Sequence, residues 1–289
     1  MYKLIAIDLD GTLLNSYGEV SKENKEAIKN AIANGTEVVI ASGRMKNAID
    51  SIAEEIGATN YIIAGNGTIL YDNKNNKILY QSFLKKEKVL KIIKICEENS
   101  IFYNIYTENE IIAKNLNYNV LYYNYENSKR IEEKQIKINI IENVYTYIEE
   151  NDINIVKITI CDENQLIFNR IINKINQINE INVLEVEHMS RKRIKSGTEE
   201  INIGYYYTEI VNKDVNKWTA IKKLLEYLGI QEKEVMTIGD NVNDREMIEN
   251  AGIGVAVGKS WLEMKKIGDV FVSDNNSNGV AEAINTYVK

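Results

Sequence analysis

Two acidic clusters carry most of the chemistry this sequence can do. Asp8-Leu9-Asp10-Gly11-Thr12 stands near the N-terminus, and Gly239-Asp240-Asn241-Val242-Asn243-Asp244 lies far downstream. Each follows an apolar run, residues 3–7 and 235–238, that reads as a buried strand. In a parallel α/β sheet, ligands bind beyond the carboxyl ends of the strands, so the two clusters are expected to meet at one edge of one sheet. Carboxylates packed this closely repel one another and need a cation, and oxygen-only ligands favour a hard one, magnesium above all. The expected chemistry is magnesium-dependent phosphoryl transfer. Asp8 and Asp10, two apart at a strand end, are expected to point to one side. One carboxylate attacks phosphorus in line, and the other protonates the leaving oxygen and then takes a proton from the hydrolytic water. An acidic β-turn is the plain alternative. Asp240, ending its strand, is expected to be a direct metal ligand. Asp244 opens the next helix, where a carboxylate also suits the helix dipole. Asn243 either caps that helix or orients a phosphate oxygen.

Ser42-Gly43-Arg44 follows a third apolar strand and opens a helix. A hydroxyl and free N–H groups there make an anion cradle; equally, Ser42 serves as an N-cap and Arg44 as a surface charge. Lys217, near another helix start, reads on its own as a solvated lysine. Asn66-Gly67 reads as a turn, with proximity to the site a secondary possibility. His188 is the only histidine, which excludes a His-rich metal site. Arg191-Lys192-Arg193 with Lys195 reads as a solvated hairpin tip. Glycines near 252–258 do not follow the first strand as a dinucleotide fingerprint would, which disfavours a nicotinamide enzyme.

The elements that must hold these residues alternate in a simple way at both ends of the chain. Strand 3–8, helix 21–34, strand 37–41, helix 45–56 and strand 61–64 read as right-handed βαβ units. A hairpin follows around the turn at 72–76. Helix 215–228, strand 235–239, helix 244–250, strand 253–257 and strand 269–272 restore the same texture before a terminal helix. Between them, strands near 101–106, 109–113, 153–160, 182–188 and 201–210 cluster among helices at 84–98, 118–128 and 164–178, as in an antiparallel α+β unit. The fold class is therefore α/β, a Rossmann-like parallel-sheet core over 1–82 and 211–289 with an inserted α+β domain over 83–210. Tyrosines crowd the insert (Tyr103, Tyr106, Tyr118, Tyr122, Tyr123, Tyr125), chiefly as core and as a solvated sheet face. A net charge of −7 argues against non-specific nucleic-acid binding and against an anionic membrane surface. No apolar run reaches the length of a membrane span, and the first strand starts too early for a signal peptide. Cys96 and Cys161 stand alone, as core thiols in a reducing, cytoplasmic setting.

Taken in order, these motifs resemble the haloacid dehalogenase (HAD) superfamily of phosphohydrolases, and most closely its Cof-type branch with a large inserted α/β cap. The matching segments are Asp8-Leu9-Asp10-Gly11-Thr12-Leu13-Leu14, Ala41-Ser42-Gly43-Arg44, Lys217, and Gly239–Asp244 with Met247 after it. The resemblance implies Asp8 as nucleophile and Asp10 as acid/base. It implies magnesium held by Asp8, the Asp10 backbone carbonyl and Asp240, with Asp244 assisting directly or through water. Ser42, Gly43 and Lys217 would bind the transferring phosphoryl group, with Asn243 supporting the phosphate side. The implied cap, 83–210, closes over the core and reads the leaving group. Trp218, Lys259-Ser260 and Asn278 depart from the family pattern, the first two at positions expected to shape the substrate rim. The implied function is hydrolysis of small phosphate monoesters, sugar phosphates or phosphorylated cofactors, by a monomer or weak homodimer. A phosphomutase or phosphotransferase, or a silent phospholigand-binding module, are the alternatives.

Overall fold

The computed structural model of the chain describes residues 2–128, 131–132, 135–184, 190–196, 199–258 and 264–288. The chain opens with β1 (Leu4–Ile7), α1 (Lys22–Ala33), β2 (Glu37–Ala41), α2 (Lys46–Ile56), β3 (Tyr61–Ala64), β4 (Ile69–Asp72) and β5 (Lys77–Gln81). A second stretch holds α3 (Lys86–Glu98), β6 (Phe102–Tyr106), β7 (Glu110–Ala113), α4 (Tyr118–Asn127), β8 (Lys137–Ile140), α5 (Val144–Glu150), β9 (Lys157–Asp162), α6 (Gln165–Ile175), β10 (Ile181–Val183), β11 (Ser190–Ser196) and β12 (Glu199–Asn212). The last holds α7 (Lys217–Leu228), β13 (Val235–Gly239), α8 (Arg245–Asn250), β14 (Ile253–Val257), α9 (Met264–Ile267), β15 (Val270–Val272) and α10 (Gly279–Tyr287). Two compact units result, Met1–Gln81 with Val215–Lys289 and Ser82–Asp214. A boundary at 210 would cut β12, which runs to Asn212.

The first unit is built on one sheet with strand order β15-β14-β13-β1-β2-β3-β4-β5. Pairing is parallel from β15 to β3 and antiparallel for the β4–β5 hairpin. Alternation along the strands divides their side chains between two apolar layers. Ile5, Ile7, Val38, Ile40, Met236 and Ile238 pack with Ile28 of α1, Ile49 of α2 and Ile284 of α10. Leu4, Ala6, Val39, Ala41 and Val235 pack with Ile221 and Leu224 of α7 and Met247 of α8. A sheet covered on both faces needs continuous apolar strands, which is what these short runs supply. From β1 the chain steps outward through β2 and β3 on one side; from β13 it steps outward through β14 and β15 on the other. The centre of the sheet is therefore a topological switch point, the place where such sheets bind ligands.

The second unit has its own sheet, order β10-β12-β9-β6-β7-β8, with β11 pairing the first half of β12. Its core gathers Ile92, Ile93, Ile105, Ile158, Ile160, Phe168, Ile171 and Ile210. The sheet is largely antiparallel, with one parallel pair, β7–β8. Residues 190–196 form a paired strand rather than the expected hairpin tip, because seven consecutive residues find partners along β12. β8 and α5 are additions to the sequence expectation. Cys96 and Cys161 are buried free thiols. Tyr103 and Tyr106 are buried, and Tyr118 and Tyr122 are half-buried. His188 lies outside the described residues. Among the described residues no helix is long and apolar enough to cross a membrane.

Candidate active site

Because β1 and β13 are adjacent and parallel, their exits lie side by side, and Asp8 N–H donates to the Ile238 carbonyl at 3.0 Å. Asp8, Asp240 and Asp244 each offer a carboxylate oxygen, and the three lie within 4.8 Å of one another. Asp8 and Asp244 are buried and Asp240 is half-buried. Asp240 is steadied by Thr12, whose hydroxyl donates to it at 2.7 Å. Gly11 lets the two segments approach: its φ is +90°, and a side chain there would begin 2.4 Å from Asp240 Oδ2. Asp244 spends Oδ2 on the backbone N–H groups of Asp240 and Asn241, at 3.0 and 3.1 Å. It thereby closes a single-turn helix over Val242–Asp244, capped by Asn241 and not by Asn243.

Lys217, the first residue of α7, is fully buried and donates to Asp8 Oδ1 and to Asp244 Oδ1, both at 2.5 Å. Burial opposes its charge, but Asp244 and Asp8 outweigh that and hold it protonated far above the usual lysine range. Burial, and next the charge of Asp244, push the Asp8 carboxyl well up. The same two causes push Asp240 up to about 7, against the pull of the Thr12 hydroxyl. One ammonium among three carboxylates leaves the cluster short of positive charge. Oxygen donors, negative charge and raised carboxyls fit a hard divalent cation.

Asp10 departs from expectation. β1 ends at Ile7, so strand alternation no longer governs the residues beyond it. Asp8 turns inward while the Asp10 side chain stays 58% exposed and outside the three-carboxylate cluster. Both its oxygens accept from Arg44, Nε at 2.8 Å and Nη2 at 2.6 Å. Ser42 is buried, and its hydroxyl accepts from the Arg44 N–H at 3.2 Å, so it begins the turn in which Gly43 lies. Asn243 donates through Nδ2 to Asn66 Oδ1 at 3.1 Å. The sequence names Thr12, Arg44 and Asn66 without these partners: Arg44 within the Ser42-Gly43-Arg44 motif, with a surface charge as the alternative, and Asn66 in a turn whose proximity to the site is a secondary possibility. Trp218 is buried in the layer beside α7 and β1, which removes it from any substrate rim. Asn278 caps α10 in the left-handed region, and Lys259-Ser260 lies outside the described residues.

The family model for haloacid dehalogenase-like hydrolases matches residues 5–284. The chain belongs to that family. Among relatives of this HAD hydrolase, phosphatase YwpJ of Bacillus subtilis is 28% identical over 96% of this chain and 97% of its own. The 5-amino-6-(5-phospho-D-ribitylamino)uracil phosphatase YcsE of the same organism is 27% identical over 99% and 96%. A solved structure of a haloacid dehalogenase-like hydrolase from B. subtilis superposes with a TM-score of 0.81 at 25% identity, covering 99% of this chain and all of that one. This HAD hydrolase is an enzyme of the phosphatase kind.

Proposed function

We propose that this HAD hydrolase is a magnesium-dependent phosphatase acting on small phosphate monoesters, sugar phosphates or phosphorylated cofactors, through an aspartyl-phosphate on Asp8. The observation that carries the reading is Lys217 held between the carboxylates of Asp8 and Asp244, beside Asp240. Asp8, Asp240 and the Asp10 carbonyl would hold the metal, with Asp244 behind them. When bound, the metal supplies positive charge where three carboxylates and a phosphate dianion would otherwise repel.

Asp8 attacks phosphorus, and the bond to the ester oxygen breaks as the new Asp8–phosphorus bond forms. Asp10, once it has left Arg44 and taken up a proton from solvent, gives that proton to the leaving oxygen. It then takes a proton from water, whose oxygen displaces phosphate from Asp8 and restores the carboxylate. Lys217 holds one oxygen of Asp8 and brings its charge to the transferring group. Ser42, Gly43 and Asn243 receive the phosphoryl oxygens. Arg44 fixes where the Asp10 carboxylate stands before substrate arrives. The inserted unit, on this reading, selects the leaving group. The phosphoribitylamino-uracil named for one relative falls within the proposed class of small phosphate esters. The setting is cytoplasmic, the partner a small phosphorylated metabolite, and the protein a monomer or weak homodimer.

The test is phosphate release from sugar phosphates, nucleotides, pyridoxal phosphate and flavin mononucleotide, with magnesium and with chelator. Turnover should need the metal and fall by about a thousandfold or more in Asp8→Asn, as losses of a nucleophile do. An Asp8→Asn enzyme that keeps full activity would sink the reading.

A further inference from the structure

The turn Gly65–Gly67, between β3 and β4, has no part in the chemistry above, yet it meets three segments that do. Asn66 is 1% exposed and sits in the left-handed region, φ 58° and ψ 30°. Such a backbone costs a non-glycine residue on the order of 1 kcal/mol or more and persists where surroundings impose it. Its N–H donates to the Ser42 carbonyl at 2.9 Å, and the neighbouring Gly65 N–H donates to the Arg44 carbonyl at 3.0 Å. The loop Ser42–Arg44 is thus gripped on both sides of Gly43. The Asn66 Oδ1 accepts from Asn243 Nδ2 at 3.1 Å. A side chain on Gly43 would begin 2.9 Å from that same oxygen. One on Gly67 would begin 2.1 Å from the Asn216 carbonyl oxygen, with the Lys217 backbone nitrogen 3.1 Å away. One short turn therefore packs on Ser42, Gly43 and Asn243 and on the backbone that leads into Lys217.

We infer that Asn66 is a positioning residue: its main chain sets the Ser42–Gly43 loop, and its amide oxygen sets Asn243, for binding phosphoryl oxygens. The residue type fits both tasks. Asparagine tolerates the left-handed region and offers a neutral acceptor. Glycine would lack the acceptor, and aspartate would add negative charge beside a dianion. The inference rests on the phosphatase reading.

Inorganic phosphate is the probe, used as a competitive inhibitor of the full chain with magnesium present. Wild type, Asn66→Gly, Asn243→Ala and the double variant are compared. Asn66→Gly retains access to the left-handed backbone and the N–H and removes the whole side chain, methylene and amide together. Its inhibition constant for phosphate should rise roughly three- to tenfold, the weight of one hydrogen bond, with KM rising in step and thermal unfolding still cooperative. The double variant should bind phosphate no more weakly than the weaker single, since the Asn66 amide oxygen acts through Asn243. Additive losses, or an inhibition constant within about twofold of wild type in Asn66→Gly, overturn the inference while leaving the phosphatase reading intact. A wild type that neither turns over esters nor binds phosphate overturns both.

Discussion

Lys217 is the residue on which the interior of the site depends. Its ammonium lies in hydrogen-bond contact with two buried carboxylates that would otherwise repel each other unpaired. Removing one partner of a buried ionic group is costlier than the group's net worth, about 3–5 kcal/mol, because the charges left behind are unpaired. Lys217→Met should therefore lower the denaturant midpoint by a corresponding amount, read by equilibrium unfolding, and magnesium should recover part of it. A variant as stable as wild type would mean that the carboxylates are neutralised another way. From the residues alone this lysine looked solvated, because nothing local marks it; its importance comes from segments remote in sequence. Asp8 and Asp240 were legible, since an acidic residue closing an apolar strand announces its position. The aim of Asp10 was not legible, because the strand stops at Ile7 and a turn has no fixed alternation.

At the scale of elements, the β4–β5 hairpin shows how a carboxylate holds a turn. Asp72 is buried and accepts from the Asn75 N–H at 3.0 Å and from Asn75 Nδ2 at 2.8 Å. Burial alone would raise its carboxyl, but the two bonds from Asn75, helped by Lys77 and Tyr227, hold it below the usual range. A carboxyl lowered in the folded state stabilises the fold above its unfolded pKa, about 3.9, and loses that contribution as pH falls through its folded value. Asp72→Asn should thus lower the melting temperature at neutral pH, and the gap to wild type should narrow below about pH 4. A gap constant across that window would remove the charge from the explanation. The parallel strands and their helices were readable because both sheet faces are covered and the runs are apolar throughout. β8 and α5 were not. β8 is four residues long and half polar, and α5 has seven residues rich in tyrosine and glutamate, so each takes its shape from the sheet and helix it packs on.

At the scale of the molecule, the second unit has the attributes of an independent domain. Its apolar core is drawn wholly from its own residues, and its two ends are tied, Asn212 Nδ2 donating to Ser82 Oγ at 3.0 Å. A fragment spanning 82–214 should fold alone and unfold cooperatively by heat, followed by circular dichroism. A fragment without a cooperative transition would show that the core is needed to complete it. The pairing of β1 with β13 has a further consequence for how the protein comes into being. Thr12 and Asp240 are 228 residues apart, so nearly the whole chain must be synthesised before they can meet. Folding the insertion first shortens that loop, but loop entropy grows only logarithmically, so the gain is under about 1 kcal/mol. Its value lies in timing instead. While the ribosome makes the middle of the chain, β1 waits with one neighbour missing, and Asp8 waits without Lys217, Asp240 or Asp244. A nascent chain or truncated product therefore has no partial cluster: Asp8, Lys217, Asp240 and Asp244 come together in one late step, when β13 joins the sheet.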